Sequence, residues 1–335
     1  MLTETFTEKT MKGEREVVYS LVPPYPTNLS LTLTDACNHR CITCHNTYYY
    51  AKEGYNHKMS KELAFSIMEQ AYNLGAREVG LHGGGPCEPF LSPILEDSIL
   101  YAKEMGYTYI YLTTNGSLAT KDRLKKCFEN GLHSIRFSIN AGNKETYKLF
   151  HGIDCFDKAV QAVQNANELR KEMGLDIILT VSFVQTKINQ EQFEQLKDLL
   201  KDSIDSIYKW DAKNGGGMLY EQMKDGIVLP NDIDILFHVH SKKGNLLVCP
   251  QPFNRFAVNA EGYLNTCCAG FKNYMSVADL NKVTLKESWE NPVFKKIRQI
   301  LIDNNIPKNI QCYNCLNNAN EQIKPLLEIR LPKYD

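Results

Sequence analysis

The chain has 335 residues, 43% hydrophobic and 23% charged, with a formal net charge of −1. That length buries a large core, and the balance is that of a globular protein, neither disordered nor membrane-embedded. No lysine–arginine block, no stretch of bilayer-spanning length and no apolar signal-peptide core in MLTETFTEKTMKGERE argue for no nucleic-acid partner, no membrane partner and a cytoplasmic location.

Asn28–Thr34 alternates apolar and polar residues and predicts a strand running into Cys37. Ser60–Leu74 follows as a helix, with Leu63, Ile67, Ala71 and Leu74 on one face, Ser60 as its cap and Gly75 as its stop. Glu78–His82 is a strand, and Ser92–Pro93 opens a helix that ends at Gly106. Thr108–Thr113 is a strand; Thr120–Asn130 is a helix closed by Gly131, with Cys127 packed beside Leu124 and Phe128. Ser134–Ile139, Ile177–Val184 and Ser206–Trp210 are further strands, separated by helices at Phe156–Met173 and Gln190–Leu200. Six strands alternating with helices predict a parallel sheet with right-handed crossovers, whose working residues lie at the carboxyl ends of the strands. The rhythm breaks at Gly215–Gly217, and a boundary falls within residues 211–245. The expected organisation is an N-terminal extension (1–27), a barrel-like domain (28–225) and a C-terminal domain (226–335).

Eleven cysteines are many for a cytosolic protein, and their odd number argues against a closed disulfide framework. Their grouping points to metal. Cys37, Cys41 and Cys44 form Cys-x3-Cys-x2-Cys on the loop after the first predicted strand. Three thiolates from one loop hold three irons of a cubane cluster and leave the fourth iron open, as a catalytic metal requires. A structural zinc ion would want a fourth ligand; His39 or His45 lie so close in sequence that tetrahedral closure is strained.

This spacing, in an alternating α/β chain, resembles the radical S-adenosylmethionine (SAM) superfamily. The resemblance covers about 200 residues and implies a partial (β/α)6 TIM-like barrel of the α/β class. In that family SAM binds the open iron of a [4Fe–4S] cluster through its amino and carboxyl groups, and an electron from the cluster cleaves it to a 5′-deoxyadenosyl radical. His82-Gly83-Gly84-Gly85-Pro86-Cys87-Glu88-Pro89 resembles the family's Gly-Gly-Glu-Pro element, which implies Gly84, Gly85 and Glu88 as SAM contacts, with Cys87 where a glycine is usual. Thr113-Thr114-Asn115-Gly116 resembles the Thr-Asn-Gly turn, and Ser138-Ile139-Asn140 the Ser-Ile-Asp strand end near the SAM ribose. Asn115, Ser138 and Asn140 are carried over on that basis. Thr43 stands where many relatives have an aromatic residue, so the adenine contact stays unassigned.

In the last third, Val258-Asn259 and Tyr263-Leu264 predict a hairpin about Glu261-Gly262 that brings Cys249 and Cys267 within reach of each other. Trp289, Phe294, Ile297 and Ile300 suit a packing helix, with Arg298 exposed or salt-bridged. Cys312-Tyr313-Asn314-Cys315 adds two thiolates from one turn. Cys249, Cys267, Cys312 and Cys315 suffice for a second, fully ligated [4Fe–4S] cluster, and zinc suits the same quartet. The arrangement resembles the SPASM/twitch extensions of radical SAM enzymes, the single-cluster twitch form above all, and implies a small C-terminal α+β iron–sulfur domain. Cys268 is spare: a core thiol, an alternative ligand or a hydrogen donor. Cys87 is the other candidate hydrogen donor.

Twitch-type relatives include dehydrogenases of aminocyclitols and related sugars, so the resemblance implies oxidation of a small, sugar- or cyclitol-like substrate, with the auxiliary cluster as electron acceptor. Carbohydrate epimerisation comes next, then peptide modification, which residues 1–27 are too short to serve with a recognition domain. A zinc-stabilised, non-catalytic binding protein is the rival of a different class. Flavodoxin or ferredoxin is the electron donor the family implies.

Overall fold

The structure is a computed structural model that describes residues 4–10, 13–44, 56–81, 87–212, 214, 216–217, 219–227, 240–241, 247–267, 273, 275–308 and 310–317. Gly84, Gly85, Cys268 and His45 lie outside the described residues.

Residues 1–27, read as a plain extension, carry a hairpin of β1 (Glu4–Thr10) and β2 (Gly13–Tyr19). The barrel strands then follow: β3 (Asn28–Leu31), β4 (Glu78–Gly80), β5 (Tyr109–Thr114), β6 (Ser134–Ser138), β7 (Ile178–Gln185) and β8 (Ser206–Asp211). Each pairs in parallel with the next, so the six strands lie side by side in chain order. Helices return the chain between them: α1 (Lys61–Asn73), α2 (Leu95–Met105), α3 (Lys121–Glu129), α4 (Lys144–His151), α5 (Phe156–Glu172) and α6 (Phe193–Leu200). This is a partial (β/α)6 barrel, as expected.

Local chemistry explains the helix bounds. Ser60 and Thr120 cap α1 and α3 by accepting from Leu63 N–H and Arg123 N–H, and each helix buries one apolar stripe, Ala64, Ile67, Met68 and Ala71 in α1. α4 was missed from the sequence. It has only two turns, yet it is properly bounded: the Asn143 side chain accepts from Thr146 N–H, and Gly152 takes the left-handed conformation at φ +69°.

Beyond β8 the chain forms α7 (Tyr220–Lys224), a short pair of β9 (His240–Ser241) and β10 (Leu247–Val248), and α8 (Gln251–Asn254). The predicted hairpin is present as β11 (Phe256–Val258) and β12 (Tyr263–Asn265), followed by an unforeseen β13 (Ser276–Asp279). β11 pairs in parallel with β3, so the barrel sheet continues into the C-terminal region as one nine-stranded sheet, β13-β12-β11-β3-β4-β5-β6-β7-β8. The expected single packing helix is broken at Asn291-Pro292 into α9 (Leu285–Trp289) and α10 (Pro292–Ile302); α11 (Gln311–Asn317) ends the described chain.

Arg298 is neither exposed nor salt-bridged as expected. It is fully buried, lies over the Trp289 and Phe294 rings at 4.0 and 3.7 Å, and donates to the carbonyls of Pro252, Leu21 and Trp289 at 3.0, 3.0 and 2.8 Å. Carbonyl oxygens take up Nε and Nη1 and aromatic faces cover the guanidinium plane in place of water, while Nη2 finds no hydrogen-bond partner among the described residues.

Candidate active site

The carboxyl ends of the barrel strands gather four loops. The first carries Cys37, Cys41 and Cys44, all partly exposed. It is anchored from two sides. Arg40 N–H and Ile42 N–H donate to the carbonyls of His151 and Phe150 at the end of α4, each at 2.9 Å. Asn38 donates from Nδ2 to Ser117 Oγ at 2.9 Å and accepts on Oδ1 from Asn115 Nδ2 at 2.9 Å, which ties the cysteine loop to the turn after β5.

Glu88, after β4, has no exposed surface. Its carboxylate accepts from Thr114 Oγ1 at 2.7 Å, Phe90 N–H at 3.1 Å and Asn115 N–H at 2.8 Å, so it joins the ends of β4 and β5. Burial nonetheless raises its pKa to about 7, outweighing those donors. The Glu88 N–H donates to the Ala36 carbonyl at 2.9 Å, which sets Cys87 alongside Cys37.

Burial pushes the Cys37 thiol up to about 12 and the Cys41 and Cys87 thiols well above their ordinary value, with the negative charge of neighbouring cysteines adding to each. Four thiols therefore crowd one site, and they favour the thiolate only if positive charge arrives. An iron cluster supplies that charge, so the donor set fits one.

After β6, Asn140 is 5% exposed and its Oδ1 accepts from Val184 N–H at 2.6 Å; Ser138 Oγ accepts from Ser182 Oγ at 3.3 Å. Sequence reasoning missed His151. It is buried, stacks on Tyr147 at 3.9 Å, and places Nδ1 3.2 Å from Cys41 Sγ and 3.4 Å from His39 Nδ1. The signal was local: Asn143, an apolar pair at Tyr147 and Phe150, and Gly152 bound a helix too short for its period to stand out.

The second group of cysteines lies in the C-terminal region. Cys249 follows β10, whose Val248 carbonyl accepts from Tyr19 Oη at 3.4 Å. Cys267 follows β12 and adds its charge to the burial that raises the Cys312 thiol to about 12, so the two share one site. Cys315 lies one turn along α11 from Cys312. Gly216, just after β8, packs against it: at φ +73°, a Cβ there would stand 3.0 Å from Cys315 Sγ.

Residues 31–200 match the radical SAM superfamily, and residues 249–316 match SPASM, an iron-sulfur cluster-binding domain. The chain belongs to the radical SAM superfamily: it is a radical SAM enzyme that uses SAM and a [4Fe–4S] cluster, with an auxiliary iron–sulfur cluster in its C-terminal domain.

A probable GTP 3′,8-cyclase of Saccharolobus islandicus (strain M.14.25 / Kamchatka #1) is 26% identical over 300 residues, covering 82% of this chain and 93% of that protein. Another from Sulfolobus acidocaldarius is 25% identical over 301 residues, covering 82% and 91%. Among solved structures, Streptococcus suis SuiB bound to precursor peptide SuiA aligns with a TM-score of 0.64 at 15% identity, covering 89% of this chain and 70% of that one. BtrN in complex with AdoMet and 2-DOIA aligns with a TM-score of 0.55 at 18% identity, covering 88% and 96%. At such identities the structures share the fold. Among the described residues no helix is long and apolar enough to cross a membrane.

Proposed function

We propose that Cys37, Cys41 and Cys44 hold the catalytic cluster, that Cys249, Cys267, Cys312 and Cys315 hold one auxiliary cluster, and that the enzyme oxidises a small hydroxylated substrate. The chemistry supplied at the first site is reductive cleavage of SAM to a 5′-deoxyadenosyl radical, which takes hydrogen from a substrate carbon. A hydroxylated carbon radical becomes a carbonyl by giving up one electron and one proton. The observation that carries this reading is the C-terminal cysteine quartet. Four thiolates saturate a cubane cluster, leave no iron for a substrate, and suit the cluster to accept an electron.

SAM contacts are proposed along the strand ends at Gly84, Gly85, Glu88, Asn115, Ser138 and Asn140. Glu88 is fully buried and engaged by three donors of the chain, so its proposed part is to hold the ends of β4 and β5 in place for the SAM amino group. The domain division is proposed as 28–225 for the barrel and 226–335 for the auxiliary domain. Flavodoxin or ferredoxin is the proposed electron donor, and the cytoplasm the proposed location.

Cyclisation of a nucleotide is the second reading, favoured by the relatives named as probable GTP 3′,8-cyclases, which this chain matches over 93% of their length in the first case. Epimerisation would need a thiol to return hydrogen, and Cys87, beside the cysteine triplet, is its candidate. Cys268 is the other.

The test is anaerobic reconstitution followed by iron and sulfide analysis and SAM cleavage under reduction. Cys41→Ala is expected to abolish SAM cleavage, whereas Cys312→Ala keeps some cleavage and loses turnover; equal loss in both contradicts separate roles. A colourless, zinc-loaded protein that never cleaves SAM supports the non-catalytic rival. A carbonyl product marks oxidation, solvent deuterium at one carbon marks epimerisation, and SAM-dependent consumption of GTP marks the cyclase.

A further inference from the structure

We propose that His151 donates a hydrogen bond from Nδ1 to the Cys41 sulfur and thereby raises the reduction potential of the cluster Cys41 helps to hold. This rests on the reading of Cys37, Cys41 and Cys44 as ligands.

The ring's protonation follows from its neighbours. Two donors converge on His151 Nε2: the Asn140 backbone N–H and the Asn140 side-chain nitrogen, each at 3.3 Å. The Asn140 amide cannot be turned round, because its Oδ1 accepts from Val184 N–H at 2.6 Å. A protonated Nε2 would point at both donors. Nε2 is therefore the lone-pair nitrogen, and the ring's proton sits on Nδ1. Stacking on Tyr147, 3.9 Å between ring centroids and 16° between planes, holds the ring in this pose.

Nδ1 faces Cys41 Sγ at 3.2 Å and His39 Nδ1 at 3.4 Å. A thiolate carries charge and is the stronger acceptor of the two. The same geometry excludes the obvious rival. His39, Cys41 and His151 offer donor atoms within 4.8 Å of one another, enough to suggest a mononuclear metal site. A metal on His151 Nδ1 would move the proton to Nε2, where a ligating histidine needs an acceptor and finds two donors. His151 is thus a positioning and tuning residue, not a ligand.

Hydrogen bonds to cluster sulfurs are one means by which a protein sets the potential. An N–H aimed at a ligand thiolate favours the reduced cluster, which carries more negative charge, and so eases the cluster's reduction by its electron donor while lessening the driving force for passing that electron on. The contact also runs from the end of β6 to the cysteine loop through one ring, Val184–Asn140–His151–Cys41. The side proposed for SAM and the side proposed for the cluster are joined by it.

The experiment uses full-length protein reconstituted anaerobically without SAM, in a Cys312→Ala background so that only the N-terminal cluster is titrated. An EPR-monitored redox titration compares His151 with His151→Leu and His151→Asn. The asparagine amide nitrogen can take the place of Nδ1. The leucine variant is expected to shift to a lower potential and the asparagine variant to return toward the parent value. In the parent protein, histidine labelled with 15N in the ring alone is expected to give a weak 15N coupling to the reduced cluster that survives both His39→Leu and His45→Leu. An unshifted potential in an iron-replete His151→Leu, or no such coupling in the parent, overturns the inference. The parent measurement decides the matter if the leucine variant fails to hold iron. If the parent forms no N-terminal cluster at all, the ligand reading itself fails and this inference falls with it.

Discussion

Glu88 shows how one side chain holds the site together at a cost. Its three donors favour the carboxylate, yet complete burial wins and sets its pKa at about 7. Because the folded value lies above the unfolded one, this group's contribution to stability is fully present below pH 4.5 and is lost as pH rises to about 7. Urea denaturation of the apoprotein should therefore show a decline across that window that Glu88→Gln, which cannot ionise, removes. The same variant should carry a pH-independent penalty of about 1–3 kcal/mol, since either orientation of the amide sets its NH2 group against a backbone N–H, of Phe90 or of Asn115. Its glutamate was legible as a motif position, but the partners were not, because Thr114 and Asn115 lie 26 and 27 residues away.

Two glycines set the geometry of the cysteine-bearing elements. Gly152 ends α4 at φ +69°, and a Cβ there would stand 2.9 Å from both Arg40 Cβ and the Arg40 carbonyl oxygen. Gly152→Ala should cost about 1–2 kcal/mol from the left-handed backbone alone. It should also push the cysteine loop away, which iron analysis would record as loss of the N-terminal cluster with the auxiliary iron retained. Gly216 plays the matching part for α11. Gly216→Ala, placing a methyl 3.0 Å from Cys315 Sγ, is expected to deplete the auxiliary iron and leave SAM cleavage measurable; unchanged iron in that variant would argue against Cys315 as a ligand. Helices such as α1 and α3 were readable because cap, stripe and stop all lie within about a dozen residues. α4 escaped because two turns give too little period, although its cap and its glycine were in plain sight.

Across the whole molecule, the auxiliary domain is an extension of the barrel sheet rather than a separate body. β11 covers the edge of β3, with Thr32 N–H adding a bond to the Val258 carbonyl at 2.9 Å. The N-terminal segment is pinned to the same region by Arg298 on the Leu21 carbonyl and by Trp289 Nε1, which donates to the Pro23 carbonyl at 3.0 Å. A chain stopped after residue 227 would expose the β3 edge and the faces that α9 and α10 cover. Such a truncation should aggregate on expression rather than yield a soluble barrel, as measured by partition between soluble and insoluble fractions. A soluble, cluster-loading fragment would show that the two parts fold independently.

From sequence alone came the alternation of strands and helices, the grouping of the cysteines and the family, because those signals are carried by short-range spacing and caps. Tertiary structure decided which of those pieces meet. β11 and β3 lie more than 200 residues apart, and strands of three or four residues carry no mark of their partner. The burial of Arg298 and the seat of His151 against Cys41 have the same origin: each depends on groups brought together by packing, where a carbonyl, a ring or a sulfur stands in place of water.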